Sequence, residues 1–516
     1  MGKTGKIKVY NVILLTVILM TAAVFAESRK VIVEPLIQTK WGQGVPYRNM
    51  LPAGHGTFCN LVAAAQVMKF HNHPPQGSGQ SEAYTMTNGV QIPSVNFEKV
   101  TFDWKNMLNS YSSDGRNSTE QQRNAVASLI YHAGLGRRRD FISGNSKNSW
   151  PLVFTKFFRY DKSVQLYERV YFSDAEWEAM IKAQLNAGLP VMINTRNQTS
   201  TSNHYFIVDG YDNAGKFHFN CGWSGRHDGW YSLNALNIGE NRWNYEQTII
   251  INIKPDKRGK PLPYEMGLME FSANKTSVSH NELFTVTTRI RNLASLDTFP
   301  GGQLGIALVD NRGRIVEVVG SRNRAALNPR SAISSVEIIC FVPTAVKRRQ
   351  YRLMAVIRPE NGKWKTITKS AVGNGVPNSI DFKVTPEKSK TPGGGFGLAL
   401  EEFSSEASSV RTRRNEPFAV KVKTRNIGLD AYSGGQLGVA LTDKKGNIVE
   451  VIRTINWNAL NPNSHRSQTI KDCKVPDTVK RGRYQLRIVV RPKDGKWRIA
   501  TLSMPDVPNS IDFQVR

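Results

Sequence analysis

Cysteine is scarce in this sequence: four residues in 516, too few for a disulfide-dense scaffold. Acidic residues are also short, 41 Asp and Glu against 69 Lys and Arg, leaving a formal charge of +28. Such a surplus draws a protein toward anionic polymers, acidic proteins or nucleic acid. Long apolar runs are missing after the amino terminus, so no transmembrane segment is expected there. The one early run, Val12 to Ala26, is broken by Thr16 and Thr21 and falls short of the ~20 residues that a span needs. Lys3, Lys6 and Lys8 precede it, and Val24-Phe25-Ala26 followed by Glu27 closes it. A basic n-region, an apolar h-region and a small-residue cleavage site predict a signal peptide over residues 1–26. Export to the periplasm, cell surface or medium is expected, and nucleic acid is dismissed as a partner. Metal chemistry has little to build on, since Cys59, His71 and His73 lack a second cysteine. No metal and no cofactor are expected.

What is present falls into two halves. Residues 259–516 hold 41 basic and 22 acidic side chains, so 19 of the 28 surplus charges lie there. This half repeats itself. Phe299-Pro300-Gly301-Gly302-Gln303-Leu304-Gly305 returns as Tyr432-Ser433-Gly434-Gly435-Gln436-Leu437-Gly438, and Ala326-Leu327-Asn328-Pro329 as Ala459-Leu460-Asn461-Pro462. Val376-Pro377-Asn378-Ser379-Ile380-Asp381-Phe382 returns as Val507-Pro508-Asn509-Ser510-Ile511-Asp512-Phe513, and Cys340 matches Cys473. Copies this long are domains rather than solenoid units. Alternating stretches such as Phe284 to Ile290 and Phe418 to Thr424, separated by turn residues, predict two all-β immunoglobulin-like sandwiches over 266–386 and 397–516. Linkers are expected over 254–265 and 387–396. The paired cysteines are expected to pack as small hydrophobes.

The segment between the signal peptide and the first linker, 27–253, has a mixed texture. Helices are expected over 120–135, capped by Ser118 or Thr119, and over 174–188, capped by Ser173. Strands are expected over 190–195, 204–211, 216–221, 230–233 and 248–253, an α+β arrangement. Cys59 opens an apolar helical stretch ending at His71. A cysteine at a helix N-terminus feels the positive end of the macrodipole, which favours the thiolate. His204 stands 145 positions later at a strand start, and Asn220 lies 16 beyond it. Cysteine first, then histidine and a polar orienter about 130–150 residues downstream, is the order of papain-like thiol proteases. A small buried thiol and an unrelated strand histidine share that spacing, so spacing alone leaves both open.

Longer motifs carry a resemblance. Trp41-Gly42-Gln43-Gly44-Val45-Pro46-Tyr47, Cys59 with Ala64-Ala65-Gln66-Val67-Met68-Lys69-Phe70-His71-Asn72, and His204-Tyr205-Phe206-Ile207-Val208-Asp209-Gly210 resemble the streptopain family of bacterial secreted cysteine proteases. Phe217-His218-Phe219-Asn220-Cys221-Gly222-Trp223-Ser224-Gly225 and Asp228-Gly229 extend the match. The resemblance implies a papain-like catalytic domain over 27–253 that hydrolyses peptide bonds of protein or peptide substrates. It implies a Cys59–His204 thiolate–imidazolium dyad, Gln43 in the oxyanion hole, Asn220 orienting or neighbouring the histidine, and Trp223 shielding that contact. Loops around 143–149 and 196–203 would rim the cleft.

Departures from the family pattern cluster at the same place. Phe58 stands where glycine usually precedes the nucleophile, Asn60 replaces a small apolar residue, and Ser202-Asn203 replace glycines. Tyr205 is bulky where a small residue is usual, and Cys221 replaces a tryptophan. The family's inhibitory pro-domain is not expected between the signal peptide and the Gln43 motif. A non-catalytic surface-binding protein on the same folds, and a thiol acyltransferase, therefore stay open beside the peptidase. A regulatory Cys59–Cys221 disulfide also stays open, with a spectator thiol the favoured alternative. The basic repeats are expected to hold the chain near anionic envelope polymers.

Overall fold

The computed structural model describes residues 29–51, 57–198, 200, 202–280, 282–386, 398–411, 416–426, 432–461, 464–492, 495–500, 502–503 and 507–516. The signal-peptide and 387–396 linker expectations lie outside these residues. Among them, no helix is long and apolar enough to cross a membrane. The chain divides into two compact units, 1–166 with 175–260, and 167–174 with 261–516.

The first unit is helical in its front half and sheet-rich behind. Helix α1 spans Cys59–His71, α2 Glu120–Gly136, α3 Trp150–Phe157 and α4 Asp174–Asn186. The cap of α2 is Thr119, whose hydroxyl accepts from the Gln122 N–H while the Gln122 side chain returns to the Thr119 N–H. This capping box satisfies two otherwise orphaned donors. Helix α3 was not expected, although Ser149 caps it and Pro151 occupies its first turn, both ordinary start signals. Its eight residues are too few for periodicity to stand out.

Strands β1 (Val31–Val33), β2 (Gln165–Glu168), β3 (Val191–Arg196), β4 (Asn203–Asp212), β5 (Phe217–Asn220), β6 (Gly229–Tyr231) and β7 (Tyr245–Ile251) make one sheet. Their order is β2-β7-β3-β4-β5-β6, with β1 added to β4. Helix α1 lies against the central strand β4, and both are apolar where they meet: Leu61, Val62, Ala64, Ala65, Phe206, Ile207 and Val208 are fully buried. Gly210 admits the crossing of the chain after β1, because a Cβ there would stand 2.7 Å from the Val33 carbonyl oxygen. The crossing segment is then tied down at Asp209, whose backbone carbonyl accepts from Leu36 N–H (3.0 Å) and whose carboxylate accepts from Ile37 N–H (2.9 Å). That path delivers Thr39 and Trp41 to α1, where both meet Gln66.

The second unit holds the two repeats, and their strands correspond position for position. In the first, Val336–Phe341, Leu283–Asn292, Met266–Ala273 and Lys369–Ser370 form a four-stranded sheet. Ser277–Ser279, Ile380–Thr385, Gln350–Pro359, Gly302–Val309 and Ile315–Arg324 form the other, with Lys365–Thr366 attached to its middle strand. The second copy repeats both orders, from His465–Cys473 through Leu502–Ser503 and from Ser409–Val410 through Ile448–Trp457. One core joins the two sheets of each copy: Phe284 and Ile290 meet Leu304, Leu353 and Phe382, as Phe418 and Val422 meet Leu437, Leu486 and Phe513. Each copy is thus an all-β two-sheet sandwich. Cys340 and Cys473 are free thiols buried in these cores.

Candidate active site

Cys59 is the first residue of α1, and Phe58 before it is extended and supplies no side-chain cap. Of that first turn, the Cys59 and Asn60 amides face the thiol, while Leu61 N–H bonds the Phe58 carbonyl (3.0 Å). Burial pushes the Cys59 pKa up. The backbone N–H groups of Tyr205, Asn60 and Cys59 and the Arg139 guanidinium pull it down, and burial outweighs them. The Tyr205 N–H on the sulfur sets Cys59 against the start of β4. Among the described residues no hydrogen bond joins Cys59 to the imidazole.

His204 is 6% exposed and stands in an aromatic box, its ring 4.4 Å from Trp223, 4.5 Å from Phe206 and 5.7 Å from Trp243. Its Nε2 lies 2.9 Å from the Cys221 carbonyl oxygen. A carbonyl only accepts, so Nε2 carries the proton and Nδ1 keeps its lone pair. Burial, opposed by that hydrogen bond, lowers the pKa to about 4. Burial thus works against charge on both groups, while Cys59 itself keeps partial exposure.

Asn220 bonds the backbone and side chains around His204 rather than its ring. Its amide Nδ2 donates to the Thr39 carbonyl (2.8 Å), and its Oδ1 accepts from Gln66 Nε2 (2.9 Å) and from Gly222 N–H (3.1 Å). No direct bond to His204 is made among the described residues. The link is indirect: the Gly222 N–H that Asn220 holds and the Cys221 carbonyl that His204 meets belong to one planar peptide.

Gln66, absent from the expected site, is the hub of this network. It is fully buried, and its Oε1 accepts from the Thr39 hydroxyl (2.9 Å) and from Trp41 N–H (3.1 Å) while its Nε2 holds Asn220. One amide thus ties the chain leading to Gln43, the helix carrying Cys59 and the strand end carrying Asn220. The sequence offered a signal, a lone amide inside the apolar run Leu61 to Met68. A polar group buried there requires partners. Gln43 itself is half-buried on the turn after Trp41. Trp41 is fixed by its indole N–H on the Leu108 carbonyl (2.8 Å) and by Ser224 N–H on its own carbonyl (3.0 Å).

The bulky departures have space made for them. Phe58 lies under the Arg139 guanidinium at 3.8 Å, and Gly144 closes over both: a Cβ there would stand 3.1 Å from Arg139 and 3.3 Å from Phe58. Arg139 is itself buried and donates to the Ser146 hydroxyl (3.1 Å). Tyr205 points to the same side, where burial raises its phenol pKa and the Arg137 and Arg139 charges counter it. Asn203 is exposed at the head of β4, opposite Arg196 across the β3–β4 hairpin. Trp223 is half-buried on the His204 ring. Cys221 is a buried free thiol donating to the His227 carbonyl (3.2 Å), and Cys59 is also free, so no disulfide joins them.

His71 and His73 each meet a backbone carbonyl, of Ile253 and Arg159, at 2.9 Å. His218 pairs its Nδ1 with the buried Asp209 at 2.6 Å. Among the described residues no group of three or more His, Cys, Asp or Glu is placed to hold a metal ion.

Comparison with known proteins gives a consistent result. Residues 41–231 match the model of the Peptidase C10 family. Streptopain from Streptococcus pyogenes is 31% identical over 270 residues, covering 46% of this chain and 66% of the streptopain sequence. The chain thus spans just under two thirds of that relative. Thiol protease/hemagglutinin PrtT from Porphyromonas gingivalis is 26% identical over 236 residues, 43% of this chain and 27% of its own length. The solved structure of active wild-type Prevotella intermedia interpain A cysteine protease is similar at 28% identity, with a TM-score of 0.39, covering 43% of this chain and 95% of that one.

Proposed function

We propose that this chain, which belongs to the Peptidase C10 family through residues 41–231, is an exported papain-like cysteine endopeptidase carrying two immunoglobulin-like sandwiches. What supports this reading is Cys59 as the first residue of a helix, together with a histidine whose Nε2 meets the Cys221 carbonyl and leaves Nδ1 free as a base.

On this reading the Cys59 sulfur attacks the scissile carbonyl carbon. Its proton passes to His204 Nδ1, and the carbonyl π pair moves onto oxygen. The oxyanion is met by the Cys59 backbone N–H and the Gln43 amide, donors fixed before the charge develops. His204 then gives the proton to the leaving amine, and the C–N bond breaks to leave a thioester. Water, deprotonated by the same Nδ1, hydrolyses the thioester and regenerates the thiol. Asn220 supports His204 through the Cys221–Gly222 peptide, and Trp223 covers the ring. Phe58, Tyr205 and Asn203 would line or rim the cleft and shape which substrates enter.

The test is incubation of the mature chain with casein under reducing conditions beside Cys59→Ala. Thiol-reagent-sensitive cleavage that vanishes in the variant is expected. No such cleavage favours the surface-binding role, and new amide bonds to an added amine favour the transferase. The positive surplus of 259–516 supports a further proposal, retention at anionic envelope polymers. Deleting that half should abolish salt-sensitive retention and spare peptide hydrolysis.

A further inference from the structure

Cys221 is pinned on every side. Its N–H donates to Asp228 Oδ1 (2.8 Å), its thiol donates to the His227 carbonyl (3.2 Å), and its carbonyl accepts from His204 Nε2 (2.9 Å). The loop that brings Asp228 back to Cys221 is strained. Gly222 and Gly225 have φ of 68° and 81°, and Ser224 and His227, which carry a Cβ, have φ of 58° and 63°. Left-handed backbone at non-glycine residues costs about 1 kcal/mol or more each and persists only where surrounding bonds over-determine it. Here those bonds are Ser224 N–H on the Trp41 carbonyl (3.0 Å), the Tyr231 hydroxyl on the His227 carbonyl (2.8 Å), and the Cys221–Asp228 closure itself.

We propose that Asp228 is a positioning residue for His204, acting through the backbone of Cys221. The two peptides flanking Cys221 are held by different side chains. Asp228 holds the N–H of the Asn220–Cys221 peptide, and Asn220 holds the N–H of the Cys221–Gly222 peptide. With both planes fixed, the Cys221 carbonyl has one direction, and His204 is kept in the Nε2–H tautomer with Nδ1 turned to its task. A main-chain carbonyl thereby does for the histidine what a carboxylate or amide side chain does in other catalytic triads. The groups facing Asp228 include Cys221, His218, Asp209, Lys40 and Tyr231. None of them replaces its bond to the Cys221 N–H.

This inference rests on the peptidase reading, and the experiment separates the two. Asp228→Ala removes the acceptor, whereas Asp228→Asn keeps an oxygen at the same place. Asp228→Leu keeps the volume without the acceptor and stands in if the alanine variant does not fold, melting temperature being measured for each. In the acceptor-less variants kcat on a peptide substrate should fall about 10- to 100-fold with KM within about threefold, and Asp228→Asn should restore kcat to within about threefold. Nitrogen-15 spectra of histidine-labelled protein should show His204 as the Nε2–H tautomer in the unaltered chain and a tautomer mixture in the acceptor-less variants. Unchanged kcat in those variants, an equal loss in Asp228→Asn, or an Nδ1–H tautomer in the unaltered chain would each overturn the proposal. An unaltered chain that cleaves nothing overturns the peptidase reading alone, because the histidine spectra report the tautomer without turnover.

Discussion

Gln66→Leu removes one amide of nearly constant volume, and its consequence follows from the partners. In the native chain Gln66 is fully buried and satisfies the Thr39 hydroxyl, the Trp41 backbone N–H and one face of the Asn220 carbonyl oxygen. Leucine leaves the first two donors without an acceptor in a dry site. Each orphaned donor costs about 1–3 kcal/mol. The Asn220 oxygen keeps Gly222 N–H and adds little. Burying leucine in place of an amide returns about 1–2 kcal/mol. The net loss is about 1–4 kcal/mol, a large share of a domain's stability. Gln66→Glu sharpens the test. It keeps the one oxygen that accepts from both donors but sets a second carboxylate oxygen where Nε2 now meets the Asn220 oxygen at 2.9 Å, so it too must destabilise. The assay is urea unfolding followed by tryptophan fluorescence, to which seven of the ten tryptophans contribute from before residue 260. Peptide hydrolysis should fall alongside, because the Gln43 turn and Asn220 are anchored through the same side chain. A Gln66→Leu chain within about 0.5 kcal/mol of the parent, with hydrolysis unchanged, would refute the hub assignment.

His204 has its folded pKa lowered from 6.5 to about 4, so the unfolded chain binds the extra proton first. Its stabilising contribution is complete above about pH 6.5 and is lost as pH falls toward 4, about 3 kcal/mol in all; unfolding free energies at pH 7 and 4.5 should show this slope, and His204→Phe should flatten it. Because burial raises the Cys59 thiol, iodoacetamide alkylation of Cys59 should keep accelerating above pH 8; a plateau reached by pH 6 would indicate a resting thiolate. Gly302 and Gly435 adopt φ of 139° and 151°, and a Cβ on either would stand 2.1 or 2.2 Å from the carbonyl oxygen of Arg358 or Arg491. Alanine at either position should cost about 2–4 kcal/mol in its own sandwich, read as a lowered melting transition with peptide hydrolysis retained.

The helix of Cys59, the central strand of His204 and the duplicated sandwiches were legible because each rests on a pattern that one segment carries alone. Helix α1 is an apolar run of 13 residues ending at Asn72 in a left-handed conformation, and the repeats announce themselves by identity. What could not be read is what depends on meeting across distance. Asn220 lies beside His204 in the order of motifs, yet its side chain turns to Gln66 and Thr39. Strand alternation settled this. Ile207 of β4 pairs with Asn220, which leaves His204 three residues further along, beyond the end of β5, where the chain offers a main-chain carbonyl instead. Trp243, part of the box around His204, carried no local signal, because only the return of the chain toward β7 brings it there.

Burial works against a charge on Cys59 and on His204 before substrate arrives. Three aromatic rings and the Cys221 carbonyl surround His204. Creating both charges during attack places the electrostatic burden at the moment of reaction. Fixed dipoles and fixed cations serve best there, since they need no reorganisation. The first-turn amides of α1 are such dipoles. Arg139 is such a cation, its pKa lowered by burial only to about 10 and its plane held on the Phe58 ring at 3.8 Å. On this view Phe58 is the seat of a charge rather than an obstruction beside the nucleophile. Phe58→Gly would then slow acylation of Cys59 by loosening Arg139, and Phe58→Tyr, which keeps the ring, would preserve it. Pre-steady-state acylation rates rather than KM are the quantity to compare, and a faster Phe58→Gly enzyme would refute the argument by showing that the ring only blocks the cleft.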